Sequence, residues 1–232
     1  MHSLFTTVLD ICYPLYCGGC NTATGSILCG TCIDTFKPVE EEKTCPVCGR
    51  LIGKRVVCGT CMEDKRAFRR GHFGYYFEGR LRDAIHGFKF NGRIDAGRYL
   101  VSLLKTKLDT IAEEIDCIVP IPVTEKRLME RGFNQSFIIG EEISKMTGKE
   151  IYPAVLVKTK RTKDQYALSR KERKKNISGV FTVKNSRQIS GKRVLLVDDL
   201  FTTGYTAQEA SRSLLKSSAK EVIFFALART PS

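Results

Sequence analysis

The sequence predicts an α/β fold in which a mostly parallel sheet is flanked by helices and preceded by a small cysteine-rich module. Three observations lead there. Four Cys-x-x-Cys pairs fall within the first 65 or so residues. From His72 onward, runs of strand character alternate with segments whose apolar residues recur at helical spacing. The run RVLLVDD (193–199) is rich in leucine and valine and stops at two acids, as a buried central strand does at its carboxyl end.

In chain order, HFGYYF (72–77) alternates weakly like a strand, and LRDAIHGF and AGRYLVSLLKTKL carry helical spacing. CIVPIP (117–122) reads as a strand, QSFIIGEEISKM (135–146) as a helix and AVLV (154–157) as a short strand. Strands at GVFTV (179–183) and RVLLVDD, a helix at TAQEASRSLLKS (206–217) and a strand at VIFFALA (222–228) complete the set. The domains expected are a cysteine module over 1–66, with a short N-terminal helix, and a larger domain over 72–232. Ligands of such sheets lie beyond the carboxyl ends of the strands.

With 42% hydrophobic and 27% charged residues, the 232-residue chain has the composition of a globular protein. It is long enough for one α/β domain plus an accessory module. The net charge of +13 points to phosphate-bearing ligands, nucleic acid or an anionic surface. No apolar stretch reaches the ~18 residues of a membrane-spanning helix, and the opening MHSLFTTVLDICYPLY lacks a basic n-region and a cleavage site. The location expected is cytoplasmic, with any association at the inner membrane face made through partners.

The pairs are Cys17/Cys20, Cys29/Cys32, Cys45/Cys48 and Cys58/Cys61; only Cys12 and Cys117 stand outside them. Two such knuckles can set four thiolates tetrahedrally around zinc, so four knuckles predict two structural Zn ions. Sequential pairing groups Cys17, Cys20, Cys29 and Cys32 at one site and Cys45, Cys48, Cys58 and Cys61 at the other. Interleaved, cross-braced pairing is also compatible with the spacing. Iron–sulfur ligation uses four thiolates too, and zinc is the simpler choice. Metal binding would supply much of the folding free energy of so small a segment.

VLLVDDLFTTGYT (194–206) reads as strand, loop and helix start. Thr202, Thr203, Gly204, Tyr205 and Thr206 would present backbone N–H groups, three hydroxyls and a helix N-terminus to one anion. Gly204 would let the backbone approach that anion closely. A Walker B strand is the competing reading, but it needs a G-x-x-x-x-G-K-[ST] partner that the chain lacks. His86 has a side chain suited to general-base work, yet its helical context favours packing or capping, and it is assigned no catalysis.

The string VLLVDDLFTTGYT resembles the phosphoribosyl-pyrophosphate (PRPP) loop of type I phosphoribosyltransferases. By that resemblance Asp198 and Asp199 would hold the ribose hydroxyls, and Thr202, Thr203, Gly204 and Thr206 the 5-phosphate. A pyrophosphate half-site is then expected after an earlier strand, in VPIPVTEKRLMERGFNQS (119–136), where Lys126, Arg127 and Arg131 supply cations. RGFNQS, HGFKFNGR (86–93) and DDLFTTG together resemble the ComF family, in its ComFC branch, over nearly the whole chain. That resemblance implies a type I phosphoribosyltransferase-like sheet, a double zinc ribbon, and a role in DNA uptake during natural transformation.

Between Lys158 and Lys175 stand nine Lys/Arg against two acids. A mobile loop often closes over the reacting centre in phosphoribosyltransferases, and Gln165, Leu168, Arg170, Arg173 and Asn176 match the ComF pattern. Closure over PRPP and tracking of a DNA backbone would both use these cations. Two function classes follow. The first expectation is a protein that binds PRPP with Mg²⁺, contacts single-stranded DNA and supports competence together with DNA-uptake proteins. The alternative is an active transferase that moves ribose 5-phosphate from PRPP to an unidentified nucleophile in nucleotide metabolism.

Overall fold

In a computed structural model of the protein, residues 15–159 and 179–231 are described. The expected N-terminal helix, and Gln165, Leu168, Arg170, Arg173 and Asn176 of the basic stretch, lie outside the described residues.

Five strands form one parallel sheet in the order β1-β7-β6-β2-β3: β1 (Arg70–Tyr76), β2 (Cys117–Pro120), β3 (Glu150–Ile151), β6 (Arg193–Phe201) and β7 (Glu221–Arg229). The other two strands, β4 (Leu156–Lys158) and β5 (Phe181–Val183), pair antiparallel with each other in a separate ladder. They border the stretch between Lys158 and Gly179 and form no part of the main sheet.

Period-2 patterning sorts the side chains onto two faces. Val194 and Leu196 of β6 and Val222 and Phe224 of β7 enter one core. Leu195, Val197, Ile223 and Phe225 enter the other. Both faces are covered, which is why the two strands read as continuous apolar runs. The second face carries α3 (Gly79–Phe90), α4 (Ile94–Ser102), α5 (Lys105–Glu114) and α7 (Gln135–Thr147). The first carries α8 (Tyr205–Lys216) and the β4–β5 ladder.

The periodic segment AGRYLVSLLKTKL forms two helices rather than one. The chain bends at Leu103 and Leu104, between α4 and α5, without a proline or glycine. Leu104 is buried at the bend, and Lys107 beyond it donates to the carbonyls of Val39 and Phe73. The short helix α6 (Glu125–Arg131) falls where no helix was expected. Thr124 Oγ1 caps it by accepting from the Arg127 N–H, and Gly132 ends it in the left-handed region.

Each half of the cysteine segment has one short helix, α1 (Gly30–Asp34) and α2 (Gly59–Glu63). The halves join different cores. Cys17 and Cys32 pack with α3 and α4 on the second face, whereas Cys45, Cys48, Cys58 and Cys61 pack with Phe68, Phe73 and Phe201 on the first. The module is also bonded to the sheet edge, Val39 N–H to the Gly74 carbonyl and Gly71 N–H to the Pro46 carbonyl.

Candidate ligand cavity and two cysteine clusters

The chain runs from β2 outward to β3 and from β6 outward to β7, so strand order reverses between the neighbours β2 and β6. A crevice must open there at the carboxyl ends. It is a cavity of about 290 Å³. Ile121 to Thr124 after β2 form one wall, Asp198 to Leu200 with Thr202 and Thr206 form the other, and Lys89, Arg127, Arg131, Gln135, Ser136 and Lys158 close it.

Asp198 Oδ1 accepts from Ser136 Oγ at 3.0 Å and from the Asp199 N–H at 2.9 Å. Burial first, then the neighbouring Asp199 charge, push its pKa up to about 7, against the pull of Lys89 and the Ser136 bond. Asp199 Oδ2 pairs with Lys89 Nζ at 3.0 Å, both side chains being nearly buried at 13% and 11% exposure. Burial, then Arg127, lower the Lys158 pKa, with Asp198 opposing.

On the opposite wall Asn134 begins α7, its Oδ1 accepting from the Ser136 N–H and its Nδ2 donating to the Ile121 carbonyl. This bond pair ties α7 to the end of β2 and aims Ser136 at Asp198. Arg131 donates to Gln135 Oε1 at 3.2 Å, and its guanidinium lies 4.7 Å over the Phe90 ring. Acids at the end of one strand thus face four cations across the cavity.

The residues singled out from sequence divide. Asp198, Asp199, Thr202, Thr206, Arg127 and Arg131 line the cavity. Thr203 and Gly204 do not line it; they form the turn beneath. Gly204 has φ +78°, and a Cβ there would come within 2.7 Å of the Phe201 ring. The glycine is therefore required by what lies under the loop. Lys126 projects away from the cavity, 79% exposed and 3.7 Å from Glu130 on its own helix. His86 is an exposed residue whose ring lies against Phe90 at 4.6 Å, and it does not line the cavity.

In the cysteine segment, the Sγ atoms of Cys17, Cys20, Cys29 and Cys32 all lie within 4.8 Å of one another, and so do those of Cys45, Cys48, Cys58 and Cys61. The pairing of knuckles is sequential. Cys20 to Cys29 is 3.8 Å and Cys48 to Cys58 is 3.6 Å. A tetrahedral zinc with ~2.3 Å bonds needs sulfurs ~3.8 Å apart, so both sets fit the ion. Backbone N–H groups of Cys29 and Cys58 point at the sulfurs of Cys17 and Cys45, at 3.3 and 3.4 Å, which helps stabilise thiolate charge.

Residues 8–62 match the family model of a double zinc ribbon domain, and residues 136–232 match that of a phosphoribosyl transferase domain. Among curated proteins, the DNA utilization protein YhgH of Escherichia coli (strain K12) is 28% identical over 208 residues, spanning 87% of this chain and 91% of that protein. Competence protein F of Haemophilus influenzae is 28% identical, spanning 86% and 90%. Competence protein ComFC of Bacillus subtilis is 26% identical over 216 residues, spanning 88% and 84%. Over most of its length the chain is similar to proteins named for competence and DNA utilization. The chain accordingly joins two structural zinc sites to a phosphoribosyltransferase-type parallel sheet.

Sequence reasoning assigned no site role to three residues that line the cavity. Lys89 stands inside HGFKFNGR and Gln135 and Ser136 inside RGFNQS, strings noticed as motifs without a role for these side chains. Lys158, the first cation of the basic stretch, does line the cavity. A helix 46 residues before Gln135 supplies Lys89, and no spacing rule announces a partner so distant. Among the described residues no helix is long and apolar enough to cross a membrane.

Proposed function

We propose that this ComF-type protein binds PRPP with Mg²⁺ in the β2–β6 cavity and supports DNA uptake in competence, contacting single-stranded DNA. The observation that carries the ligand reading is the sorting of charge across one cavity. Asp198 and Asp199 offer acceptors for ribose hydroxyls, and Thr202, Thr206 and the start of α8 offer donors for a 5-phosphate. Arg127, Arg131, Lys89 and Lys158 supply cations for pyrophosphate. Mg²⁺ bound with the ligand would screen the charge between the phosphates and the carboxylates of Asp198 and Asp199. Lys89, paired with Asp199, would hold that carboxylate in place before ligand arrives.

The uptake role is supported by the names of the Haemophilus influenzae and Bacillus subtilis relatives. The net charge of +13 favours contact with a phosphate backbone. Transfer of ribose 5-phosphate to an acceptor is the second reading. It is favoured by Asp198, a partly covered carboxyl whose pKa near 7 lets it take up or release a proton inside the cavity.

Calorimetry with PRPP in Mg²⁺ tests the first reading. Binding is expected for the native chain and lost in the Asp198→Ala, Asp199→Ala double variant, and equal affinity of the two would overturn the assignment. Release of pyrophosphate in the presence of candidate acceptors would favour the transferase. Single-strand DNA affinity should fall steeply with salt, and a flat salt response would remove DNA from the proposal.

A further inference from the structure

We infer that the second cysteine cluster is the floor of the phosphate loop, with Arg66 as the positioning residue that links them, so that metal in this cluster sets the order of the loop. That the loop holds phosphate rests on the reading above; the mechanical link does not.

Three struts make the link. Just beyond Cys61 and α2, the Arg66 side chain is only 5% exposed, and its Nη2 donates to the Thr203 carbonyl at 3.1 Å. Its Cζ lies 5.9 Å from the Tyr205 ring centroid and would be 3.6 Å from a Cβ at Gly204. The guanidinium thus bonds Thr203 and lies beside Gly204 and the Tyr205 ring. Nε and Nη1 have no hydrogen-bond partner among the described residues, and Nη1 has the Asp64 carboxylate at 3.7 Å. An arginine buried at this cost, with a single carbonyl accepting from it, is held for position rather than for stability.

The second strut is Gln208 on the first turn of α8. Its Oε1 accepts from the Ala67 N–H at 2.7 Å and its Nε2 donates to the Lys65 carbonyl at 3.3 Å. The helix whose N-terminus faces the cavity is therefore stitched to the two residues on either side of Arg66. The third is aromatic. Phe201 lies under Gly204 and packs against Phe73 at 4.9 Å between centroids. Phe73 in turn fills the space beside Gly49, where a Cβ would come within 2.4 Å of its ring. Gly49 directly follows Cys48, and its carbonyl accepts from Arg229 Nη1 at 2.7 Å.

Among the described residues the first cluster has no comparable route, because Cys17 and Cys32 pack with α3 on the other face of the sheet. The two metal sites, alike in ligands, therefore differ in consequence. Loss of metal from the second should release residues 202–208, and loss from the first should not.

Hydrogen–deuterium exchange on the zinc-loaded full chain, read by mass spectrometry without ligand, tests this. In Arg66→Ala, peptides covering residues 202–208 should exchange about tenfold faster, as expected for one lost charged hydrogen bond. Peptides of β7 and α7 should stay at the native rate, and metal content should remain unchanged. Cys58→Ser with Cys61→Ser should loosen the same peptides, whereas Cys29→Ser with Cys32→Ser should leave them as they were. Native exchange of the loop in Arg66→Ala, or equal acceleration throughout the sheet, overturns the inference. So does loosening of the loop by the first-site variant to the same extent. A native chain that fails to bind PRPP while Arg66→Ala still loosens the loop would refute the ligand reading alone.

Discussion

Asp198→Asn offers a sharp test of the electrostatics in the cavity. Asparagine has the same shape, and its Oδ1 can accept from Ser136 Oγ and the Asp199 N–H as the carboxylate does. What changes is charge. The Asp198 pKa is raised from 3.8 to about 7, so the folded state binds its proton more tightly than the unfolded chain. Stability from this group is complete below pH ~4 and is lost as pH rises through ~7. A three-unit rise corresponds to a ceiling of roughly 4 kcal/mol. Asp198 is only partly covered and opens to the cavity, so water screening brings the expectation to about 2 kcal/mol. The ligand-free variant should therefore be more stable than the native protein at pH 8, by roughly 5 °C in Tm, and the gap should close as pH falls to ~4. Scanning fluorimetry across this range, checked by urea unfolding at pH 8, measures it. A variant no more stable at pH 8, or a gap that does not narrow in acid, would refute the argument. The same substitution should weaken PRPP binding, the combination expected where a site holds charge against the preference of the fold.

Gly204→Ala should destabilise the protein by about 1–3 kcal/mol, since alanine meets both the positive φ and the Phe201 ring; urea unfolding reads this. Lys89→Met leaves the nearly buried Asp199 unpaired and should cost about 2–3 kcal/mol; adding Asp199→Asn should recover most of it, and a double-mutant cycle without that coupling would contradict the pairing. Elemental analysis of the native chain should find two zinc ions, and Cys45→Ser should leave one bound by the cluster that begins at Cys17.

Four of the five sheet strands and α7 were legible in the residues because burial leaves a mark on pattern, whereas the two-residue β3 was too short to leave one. Continuous apolar runs announced β6 and β7, and Gln135–Thr147 lies within a residue or so of its expected span. The break at Leu103 and Leu104 and the helix α6 were not legible. The first has no Gly or Pro to signal it, and the second is largely exposed, with Leu128 and Met129 facing solvent and no apolar stripe to betray it. The cavity was half legible. Asp198, Asp199, Thr202, Thr206, Arg127 and Arg131 were found from loop chemistry, whereas Lys89 and Ser136 depend on which helices cover the carboxyl end of β6.

The DDLFTTG loop and the four Cys-x-x-Cys pairs are short-range features. Their chemistry depends on spacing of a few residues, so the sequence alone pointed to an anion cradle and to thiolate clusters. Tertiary structure decided which knuckles pair, since distances between knuckles are set by folding and not by spacing. It decided that Lys126 points away while Lys89 points in, because a side chain's direction follows from the face its helix buries. It also decided what lies beneath Gly204. Phe201 and Arg66 converge there from segments 135 residues apart, and only packing brings the second cysteine cluster under the loop.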